Sequence, residues 1–410
     1  ARACAPTTSS RPADLRVVCW HTGPRGRRYG IPVALERAGL LHRFYTDVAF
    51  SGVARVGVNA LSALVRRGRW VQHLQSRRLP VALPARKVRR LSARTLLQLR
   101  GDAGAGMQAL RERLRADEFA GGSAVYSIIN GDLELLQEAK ARGLRIIHDQ
   151  ILTPDVGLIL REERARYAGI EPQDSDDDVF GGIERDRRQW ALADAILVAG
   201  AYSRDALARL DGPVARVSVV PYGIDGTWLA AQPRPVRGRV VFVGSVSLRK
   251  GVHYLAEATR LLQARGVPCE VLVYGRQRPG VVEHPAFAGP TYPGALPQSA
   301  IAAALLEADV FVLPSLAEAG CAMAVLEAMA CGVPVVVTPL AEPVVRDGRE
   351  GFVVPFRDGT ALAEALQRLL QDRPLRERMA AAARQRAAAM SLDAYAARIR
   401  DALAPLQEGT

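Results

Sequence analysis

The sequence has no stretch approaching about eighteen uninterrupted apolar residues, which excludes a membrane-spanning helix. Its opening stretch, ARACAPTTSSRPADLR, has no apolar run of the signal-peptide type. Export is therefore not predicted, and residues 1–14 are expected to form a disordered leader. The five cysteines are odd in number and scattered, without metal-ligand or C-x-x-C spacing. This spacing argues against a disulfide framework and favours a reducing cytoplasm.

Acidic residues are absent from residues 51–100, where twelve basic side chains lie. The formal net charge of +13 is concentrated there, because the rest of the chain is nearly neutral. Basic side chains interleaved with Leu, Val and Trp favour an anionic membrane surface or a phosphorylated acceptor, contacted by Arg66, Arg67, Arg69 and Trp70. Nucleic acid is a less favoured partner, because the segment has no recognisable reading module. A solvated arginine-rich face is the plainer alternative.

Short β-branched runs alternate with amphipathic segments along the chain. Strands are predicted at 16–20, 43–46, 124–129, 144–148, 195–199, 217–221, 239–243, 270–274, 309–314 and 334–338, and helices at 131–142, 252–263, 322–330 and 360–371. This alternation predicts an α/β protein with parallel sheets covered by helices. A Pro-, Gly- and Arg-rich stretch at 226–238 divides the strands into two series, which predicts two Rossmann-like domains facing a cleft. Ligands of such sheets bind beyond the carboxyl ends of the strands.

Residues 314–338, PSLAEAGCAMAVLEAMACGVPVVVT, are predicted to run from a strand through a loop into a helix. The loop holds Glu318 and Gly320, the helix begins near Cys321 or Ala322, and Glu327 lies on it. A helix N-terminus presents free N–H groups that suit phosphate or sugar oxygens, and ionised carboxylates accept hydrogen bonds from sugar hydroxyls. The alternative is a helix cap followed by a solvent-facing glutamate.

A second strand–loop–helix segment, VVFVGSVSLRKGVHYL at 240–255, places Arg249 and Lys250 at the carboxyl end of a strand. Two cations there can neutralise a diphosphate. Lysine is rare in this arginine-rich chain, where Lys87 and Lys140 are the other two, so Lys250 indicates a need for a compact charge. An exposed basic turn is the alternative. The run DSDDD at 174–178 is interpreted as an exposed acidic loop rather than a metal site.

Together these segments resemble the retaining glycosyltransferases of the GT-B fold, family 4 type. VVPYGID (219–225) is similar to the family's hinge, GSVSLRKG (244–251) to its diphosphate loop, and 314–338 to its E-x7-E motif. REGFVVPFRDGTALAEAL (349–366) resembles the segment that follows. RIIHDQILTP (145–154) and LVAGAYSRDAL (197–207) resemble parts of the N-terminal domain.

The resemblance implies roles for residues at the matching positions. Lys250 and Arg249 would hold the diphosphate of the donor, with Gly244 and Ser245 in the same loop. Glu327 would bind the ribose, and Glu318 with the backbone of Gly320, Cys321, Ala322 and Met323 would hold the sugar. His148 would reach the sugar and the phosphate from the opposite domain. Tyr274, Gly275 and Leu296 fall where the family contacts the base. The catalytic set is thus His148, Arg249, Lys250 and Glu318.

Three departures from the family pattern stand out. Eight residues separate Glu318 from Glu327, so the motif has one residue inserted in its loop. Gly244-Ser245 replaces the common Gly-Arg, and Arg249 is expected to compensate. The loop HTGPRGRRYGIP at 21–32 lacks the usual double glycine.

The resulting prediction is a cytoplasmic enzyme, peripheral at the inner membrane face, that transfers a sugar from a UDP- or GDP-sugar to a hydroxyl of a glycan or lipid-linked acceptor. No metal, cofactor or nucleic acid is expected. The domains are predicted at 15–225 for the acceptor and 226–390 for the donor, with a helix in 391–410 returning to the first domain. A silent nucleotide-sugar-binding scaffold, a GT-B epimerase and a nucleic-acid-binding protein are the alternatives.

Overall fold

Two parallel β-sheets, each flanked by helices, form the framework of the protein. The structure, a computed structural model, describes residues 15–21, 30–47, 79–91, 103–128, 132–318, 322–341 and 344–408. The predicted α/β class with two Rossmann-like units is confirmed. No helix within these described ranges is long and apolar enough to cross a membrane.

The first sheet has seven strands in the order β3-β2-β1-β4-β5-β6-β7. Its strands are β1 (Val17–Trp20), β2 (Leu41–Thr46), β3 (Val88–Arg90), β4 (Ala124–Ser127), β5 (Arg145–Gln150), β6 (Ala195–Val198) and β7 (Val217–Val219). Its helices are α1 (Gly30–Arg37), α2 (Ala103–Ala116), α3 (Leu133–Ala141), α4 (Val156–Arg166), α5 (Asp176–Leu192) and α6 (Ala201–Arg209). Strands β1 and β4 lie fully buried, as expected for strands covered by helices on both faces.

The second sheet has six strands in the order β10-β9-β8-β11-β12-β13. Its strands are β8 (Arg239–Val243), β9 (Glu270–Tyr274), β10 (Thr291–Gly294), β11 (Val310–Leu313), β12 (Val335–Val337) and β13 (Gly351–Val353). The helices of this half are α7 (Val252–Ala264), α8 (Gln298–Leu306), α9 (Met323–Ala330), α10 (Gly359–Gln371) and α11 (Arg373–Ala389). The chain ends in α12 (Leu392–Leu403) and α13 (Pro405–Glu408).

Every predicted strand has a counterpart, but three observed strands were not predicted. These are β3, β10 and β13, and each lies at an edge of its sheet. Their sequences, VRR, TYPG and GFV, are short and are not fully buried. An edge strand has a neighbour on one side only, so it does not need the continuous apolar run that marked the central strands.

The acidic run at 174–178 is not a loop, and this prediction was wrong. Ser175 is the N-cap of α5, and its hydroxyl accepts a hydrogen bond from the backbone N–H of Asp178. The Asp178 carboxylate in turn accepts from the backbone N–H of Ser175, which completes a capping box. Asp176, Asp177 and Asp178 belong to the first helical turn, where negative charge is favoured by the helix dipole.

The C-terminal helix α12 packs on α1 of the first half. The Arg37 guanidinium lies 2.9 Å from the Asp393 carboxylate, and Arg400 donates to the carbonyl oxygen of Ala38. Ile224 and Ser391 form an isolated β-bridge beside this contact. The chain therefore passes between the two halves twice, once between β7 and β8 and once between α11 and α12.

Candidate active site

The loops after β8 and β11 meet at the carboxyl end of the second sheet. Gly251 ends the loop after β8 with a left-handed φ of 65°, which favours glycine. A Cβ atom at this position would lie 1.9 Å from the carbonyl oxygen of Pro314. Only glycine allows this close approach, so the basic loop rests directly on the end of β11.

Lys250 and Glu318 form an ion pair in this corner. The Lys250 ammonium donates to Oε1 of Glu318, and the two side chains are 12% and 10% exposed. The Ser315 hydroxyl donates to the same oxygen at 3.0 Å. Arg249 donates to the carbonyl oxygen of Ala317 at 2.8 Å and lies 3.3 Å from Oε1 of Glu318. Arg249, Lys250 and Glu318, which were predicted to share a site, are thus brought together.

Burial and neighbouring charges shift the pKa values of Lys250 and Glu318 in opposite directions. Burial lowers the pKa of Lys250 below its usual value, although the Glu318 carboxylate partly opposes the shift. Burial alone would raise the pKa of Glu318, but the charges of Lys250 and Arg249 bring it below the usual value. Two cations facing one carboxylate leave one net positive charge, and this charge suits an anionic group of a ligand.

The loops after β8 and β9 also lie in direct contact. The backbone N–H of Gly244 donates to the carbonyl oxygen of Tyr274 at 2.9 Å. A Cβ atom on Gly275 would lie 1.5 Å from the carbonyl oxygen of Gly244 and 3.4 Å from Cα of Ser245. Leu296 is half-buried and follows β10 by two residues at the same end of the sheet. Five predicted donor-site residues therefore share one edge.

Helix α9 presents Met323 and Glu327 to a cavity of about 480 Å³ between the two halves. Ala322 is the N-cap of this helix. The other walls come from α1, the hinge, the start of the second half and α12, with lining residues Ile31, Val33, Tyr222, Trp228, Leu392 and Tyr395. Glu327 is thus placed in a largely apolar space at the hinge. Gly320 and Cys321 lie outside the described residues, as do Arg66, Arg67, Arg69 and Trp70.

A second cavity, of about 450 Å³, borders the basic loop. Ser245, Ser247 and Arg249 line it from the loop, and Arg164 and Glu171 line it from the first half. Arg276 and Arg278, which follow β9, complete its basic lining. The predicted donor residues therefore divide between two cavities, with Glu327 in one and Ser245 and Arg249 in the other.

His148 lies inside the first sheet and is fully buried. Its Nε2 is 3.1 Å from Oε1 of Gln150, and the same oxygen accepts from Nε1 of Trp190 at 3.0 Å. Since that oxygen is an acceptor, Nε2 of His148 carries the proton. Its Nδ1 has no hydrogen-bond partner among the described residues. Burial lowers the pKa of His148 to about 4.

His148 is more deeply buried than the role expected for it would suggest. A neutral, fully buried imidazole does not present a polar atom to the cleft in this structure. The contact between His148 and the sugar stays a prediction.

A buried carboxylate that the sequence did not reveal joins the two halves. Glu163 on α4 is fully buried. Its Oε1 lies 2.8 Å from Nε2 of His253 and accepts from the Tyr254 hydroxyl at 2.7 Å, while Oε2 accepts from Nε of Arg357 at 2.7 Å. Burial would raise the pKa of Glu163, but these hydrogen bonds bring it below its usual value. In sequence, Glu163 sits in a run of charged residues that is typical of an exposed helix face.

No group of three His, Cys, Asp or Glu side chains suited to a metal ion occurs among the residues with described positions.

The architecture is that of GT-B proteins, as predicted. A crystal structure of Anabaena Alr3699/HepE in complex with UDP and glucose superimposes with a TM-score of 0.62 at 14% identity, covering 95% of this chain and all of that one. This likeness supports the fold. Residues 237–372 match the family model "Glycosyl transferases group 1", which covers the second sheet and most of its helices.

Curated relatives are similar over part of their length. A phosphatidyl-myo-inositol mannosyltransferase of Mycobacterium leprae is 34% identical over 179 residues, which cover 40% of this chain and 46% of that protein. A glycogen synthase of Mycobacterium tuberculosis is 32% identical over 251 residues, or 57% of this chain and 58% of that protein. The matched region thus spans about half the length of these relatives. The second half of the chain is thus similar to group 1 glycosyltransferases.

Proposed function

We propose that the protein is a retaining glycosyltransferase of the family 4 type that transfers a sugar from a nucleotide-diphosphate sugar to a hydroxyl acceptor. The observation that carries this proposal is the corner formed by Arg249, Lys250 and Glu318 at the carboxyl ends of the second sheet. Its net positive charge faces the edge at which ligands of parallel sheets bind. The match of residues 237–372 to group 1 glycosyltransferases supports the same chemistry.

The donor is proposed to be a UDP-sugar, with a GDP-sugar as the second choice. Support comes from the neighbouring HepE structure, which holds UDP and glucose. Arg249 and Lys250 would bind the diphosphate, with Ser245 in the same loop. Tyr274, Gly275 and Leu296 would border the base, and Glu327 the ribose.

The proposed reaction places most of its charge change on the diphosphate. The bond from the anomeric carbon to the diphosphate oxygen breaks, and its electron pair leaves with the diphosphate. The acceptor oxygen bonds to the same face of that carbon, and its proton passes to a diphosphate oxygen. Arg249 and Lys250, fixed before the reaction, would stabilise the developing charge. No protein base is required, which agrees with the burial of His148.

Protein side chains are proposed to balance the diphosphate without a metal ion or other cofactor. Arg249 and Lys250 lie in the loop that resembles the family's diphosphate loop, and guanidinium and ammonium groups pair well with phosphate oxygens.

The acceptor is proposed to be a glycan or lipid-linked precursor reached at the cytoplasmic face of an anionic membrane. The basic composition of residues 51–100 supports this location. A mannosyltransferase acting on phosphatidyl-myo-inositol is among the relatives, by its name.

The test begins with ligand binding. UDP, GDP and their common sugar conjugates are screened by thermal shift, because a ligand of the native state raises the apparent melting temperature by mass action. The stabilising donor is then incubated with candidate acceptors, and the anomeric configuration of the product is read by NMR. An inverted product would contradict the retaining assignment, and the absence of any nucleotide binding would contradict the function as a whole.

The paired state of Lys250 favours one second candidate, a nucleotide-sugar-binding protein without transferase activity. Glu318 already neutralises the ammonium, and one residue is inserted before α9 relative to the family motif. Donor binding without transfer or hydrolysis, across the acceptors that relatives use, would support this candidate over the enzyme.

A further inference from the structure

Residues 153–171, comprising α4 and its flanking turns, cross from the first half and hold the second half around Lys250. The backbone N–H of Thr153 donates to the carbonyl oxygen of Glu318 at 2.9 Å. Glu163 accepts from Tyr254 and contacts His253, and Glu171 accepts from the backbone N–H of Leu248 at 2.8 Å. We call residues 153–171 the α4 segment.

The residues that the α4 segment contacts flank Arg249 and Lys250 in the sequence. Leu248 lies one residue before Arg249, and His253 lies two residues after Gly251. The stretch between these anchor points carries both proposed diphosphate ligands. Because Thr153 also binds the backbone of Glu318, the counter-ion of Lys250 is held by the same segment.

Glu171 is itself held in a fixed position. Its side chain is 5% exposed and its other carboxylate oxygen lies 3.5 Å from Nε of Arg164. Arg164 is 12% exposed and also pairs with Asp174. A charge-assisted hydrogen bond to a fixed acceptor restricts the orientation of the group that donates it.

Leu248, whose N–H donates to Glu171, is the first residue of the turn that carries Arg249 and Lys250. Residues Leu248–Lys250 form a single 3-10 turn, in which the Gly251 N–H bonds back to the carbonyl oxygen of Leu248. The Leu248 N–H points out of the turn and has no partner within it, so an outside acceptor is needed. Glu171, from the other half of the molecule, supplies that acceptor.

We propose that Glu171 is a positioning residue that fixes the turn bearing Arg249 and Lys250 and thereby sets the affinity for the diphosphate group of the donor. This inference rests on the proposed function, since it assumes that these cations bind the diphosphate. It also implies that the first half of the molecule influences donor affinity through the hydrogen bond between Glu171 and the backbone of Leu248.

The test compares UDP, inorganic pyrophosphate and uridine as ligands of the full chain by isothermal titration calorimetry. In Glu171→Ala, affinity for UDP and pyrophosphate is expected to fall about tenfold, the scale of one lost charge-assisted hydrogen bond. Uridine affinity is expected to stay within twofold of wild type, because the base and ribose are held elsewhere. Glu171→Gln keeps an oxygen that can accept from Leu248, so it is expected to recover most of the UDP affinity.

Glu162→Ala is the matched control. Glu162 lies on the same helix, its side chain is 59% exposed, and it pairs with Arg357 rather than with the basic turn. Wild-type affinity for UDP is expected in this variant. Equal loss of UDP and uridine binding in Glu171→Ala would show general loosening and overturn the inference, as would unchanged UDP binding. If the wild-type chain binds neither UDP nor GDP nor pyrophosphate, the proposed function fails instead.

Discussion

Lys250 must hold its charge in a place that disfavours it. Its side chain is nearly buried, and Glu318 provides the opposite charge that makes this possible. A diphosphate entering the corner would add negative charge beside Glu318, and it would have to share Lys250 with that carboxylate. Arg249, which contacts the backbone of Ala317 as well, would supply the remaining positive charge.

Replacement of Lys250 tests its catalytic role. Lys250→Ala is expected to lower turnover about 100-fold, the scale of one lost group that stabilises charge in the transition state. Steady-state kinetics with the identified donor provides the measurement. Lys140→Ala is the control, because Lys140 also forms an ion pair, 2.7 Å from Asp194, but lies on the first half. Similar rates for the two variants would remove Lys250 from the mechanism.

His148 gives a prediction about pH rather than about catalysis. Its folded pKa is about 4, while an unfolded histidine titrates near 6.5. Between these values the unfolded chain binds a proton that the native imidazole does not bind, so this residue lowers the stability as the pH falls from about 6.5 to 4. The linked contribution is about 3 kcal/mol at most.

Asp186, a buried aspartate near Gln150, changes the stability with pH in the opposite direction to His148. Burial raises the pKa of Asp186 to about 6, although Gln150 opposes the shift, so Asp186 favours the native state as the pH falls. The contribution of His148 is therefore isolated by difference. The stability gap between His148→Gln and wild type, measured by urea unfolding, is expected to move by about 3 kcal/mol in favour of the variant between pH 6.5 and 4. A pH-independent gap would mean that His148 is not held neutral.

At the scale of elements, helix α4 of the first half makes buried polar contacts with the second half. Tyr167, at its C-cap, stacks edge-on against His253 with ring centroids 4.5 Å apart. The Glu163 carboxylate beside this contact accepts hydrogen bonds on both oxygens from the second half. The helix belongs to the first sheet by connectivity, yet its buried polar contacts are made with the second.

Loss of the Glu163 charge should weaken the contact between the two halves. Glu163→Gln is expected to lower the free energy of unfolding by about 3 kcal/mol, because it leaves the buried partners of a carboxylate without their counter-charge. Glu162→Gln, one position earlier and exposed, is expected to cost less than about 1 kcal/mol. Urea denaturation monitored by tryptophan fluorescence measures both. Comparable losses would mean that the buried network contributes no more than a surface ion pair.

The sequence predicted the central strands and the loops that follow them, because those features depend on local patterns. A run such as VVFVG predicts a buried strand and the turn after it. It did not predict the edge strands β3, β10 and β13, which are short and only partly buried. It also did not predict the pairing of Lys250 with Glu318, which joins two distant loops. Glu163 was missed for the same reason, since only the tertiary structure distinguishes a buried glutamate from an exposed one.

His148 shows how strand register bears on the position of a side chain. A family motif suggested a residue in contact with the sugar, but the direction of a side chain at a strand end depends on its register. Here β5 extends to Gln150, so His148 lies within the strand, paired with Ser127 and Ile196 of its neighbours. The predicted strand stopped at residue 148 and would have left the imidazole at its end.

At the scale of the whole molecule, the charge is segregated. Twelve cations lie in residues 51–100, while the remaining chain is nearly neutral. Each basic group near an anionic bilayer contributes about 1 kcal/mol, within a Debye length of about 8 Å at physiological salt. Four groups acting together would give measurable affinity.

Vesicle binding tests this charge asymmetry. We expect binding to vesicles containing phosphatidylserine, little binding to phosphatidylcholine alone, and release as salt is added. The triple variant Arg66→Gln, Arg67→Gln, Arg69→Gln is expected to bind several-fold less in a sedimentation assay. Equal binding to both vesicle types, or none to either, would favour a soluble acceptor.

The return of α12 to α1 has a practical consequence for dividing the molecule. A fragment cut at the hinge would expose the face of α1 that α12 covers, and it would lose the partner of Arg37. The fragment 15–225 should therefore be unable to fold on its own. Residues 391–408, supplied as a separate peptide, should restore its folding by complementation. The shortest cooperative unit of the first half is thus discontinuous in sequence, and its last segment is synthesised only after the whole second half has been translated.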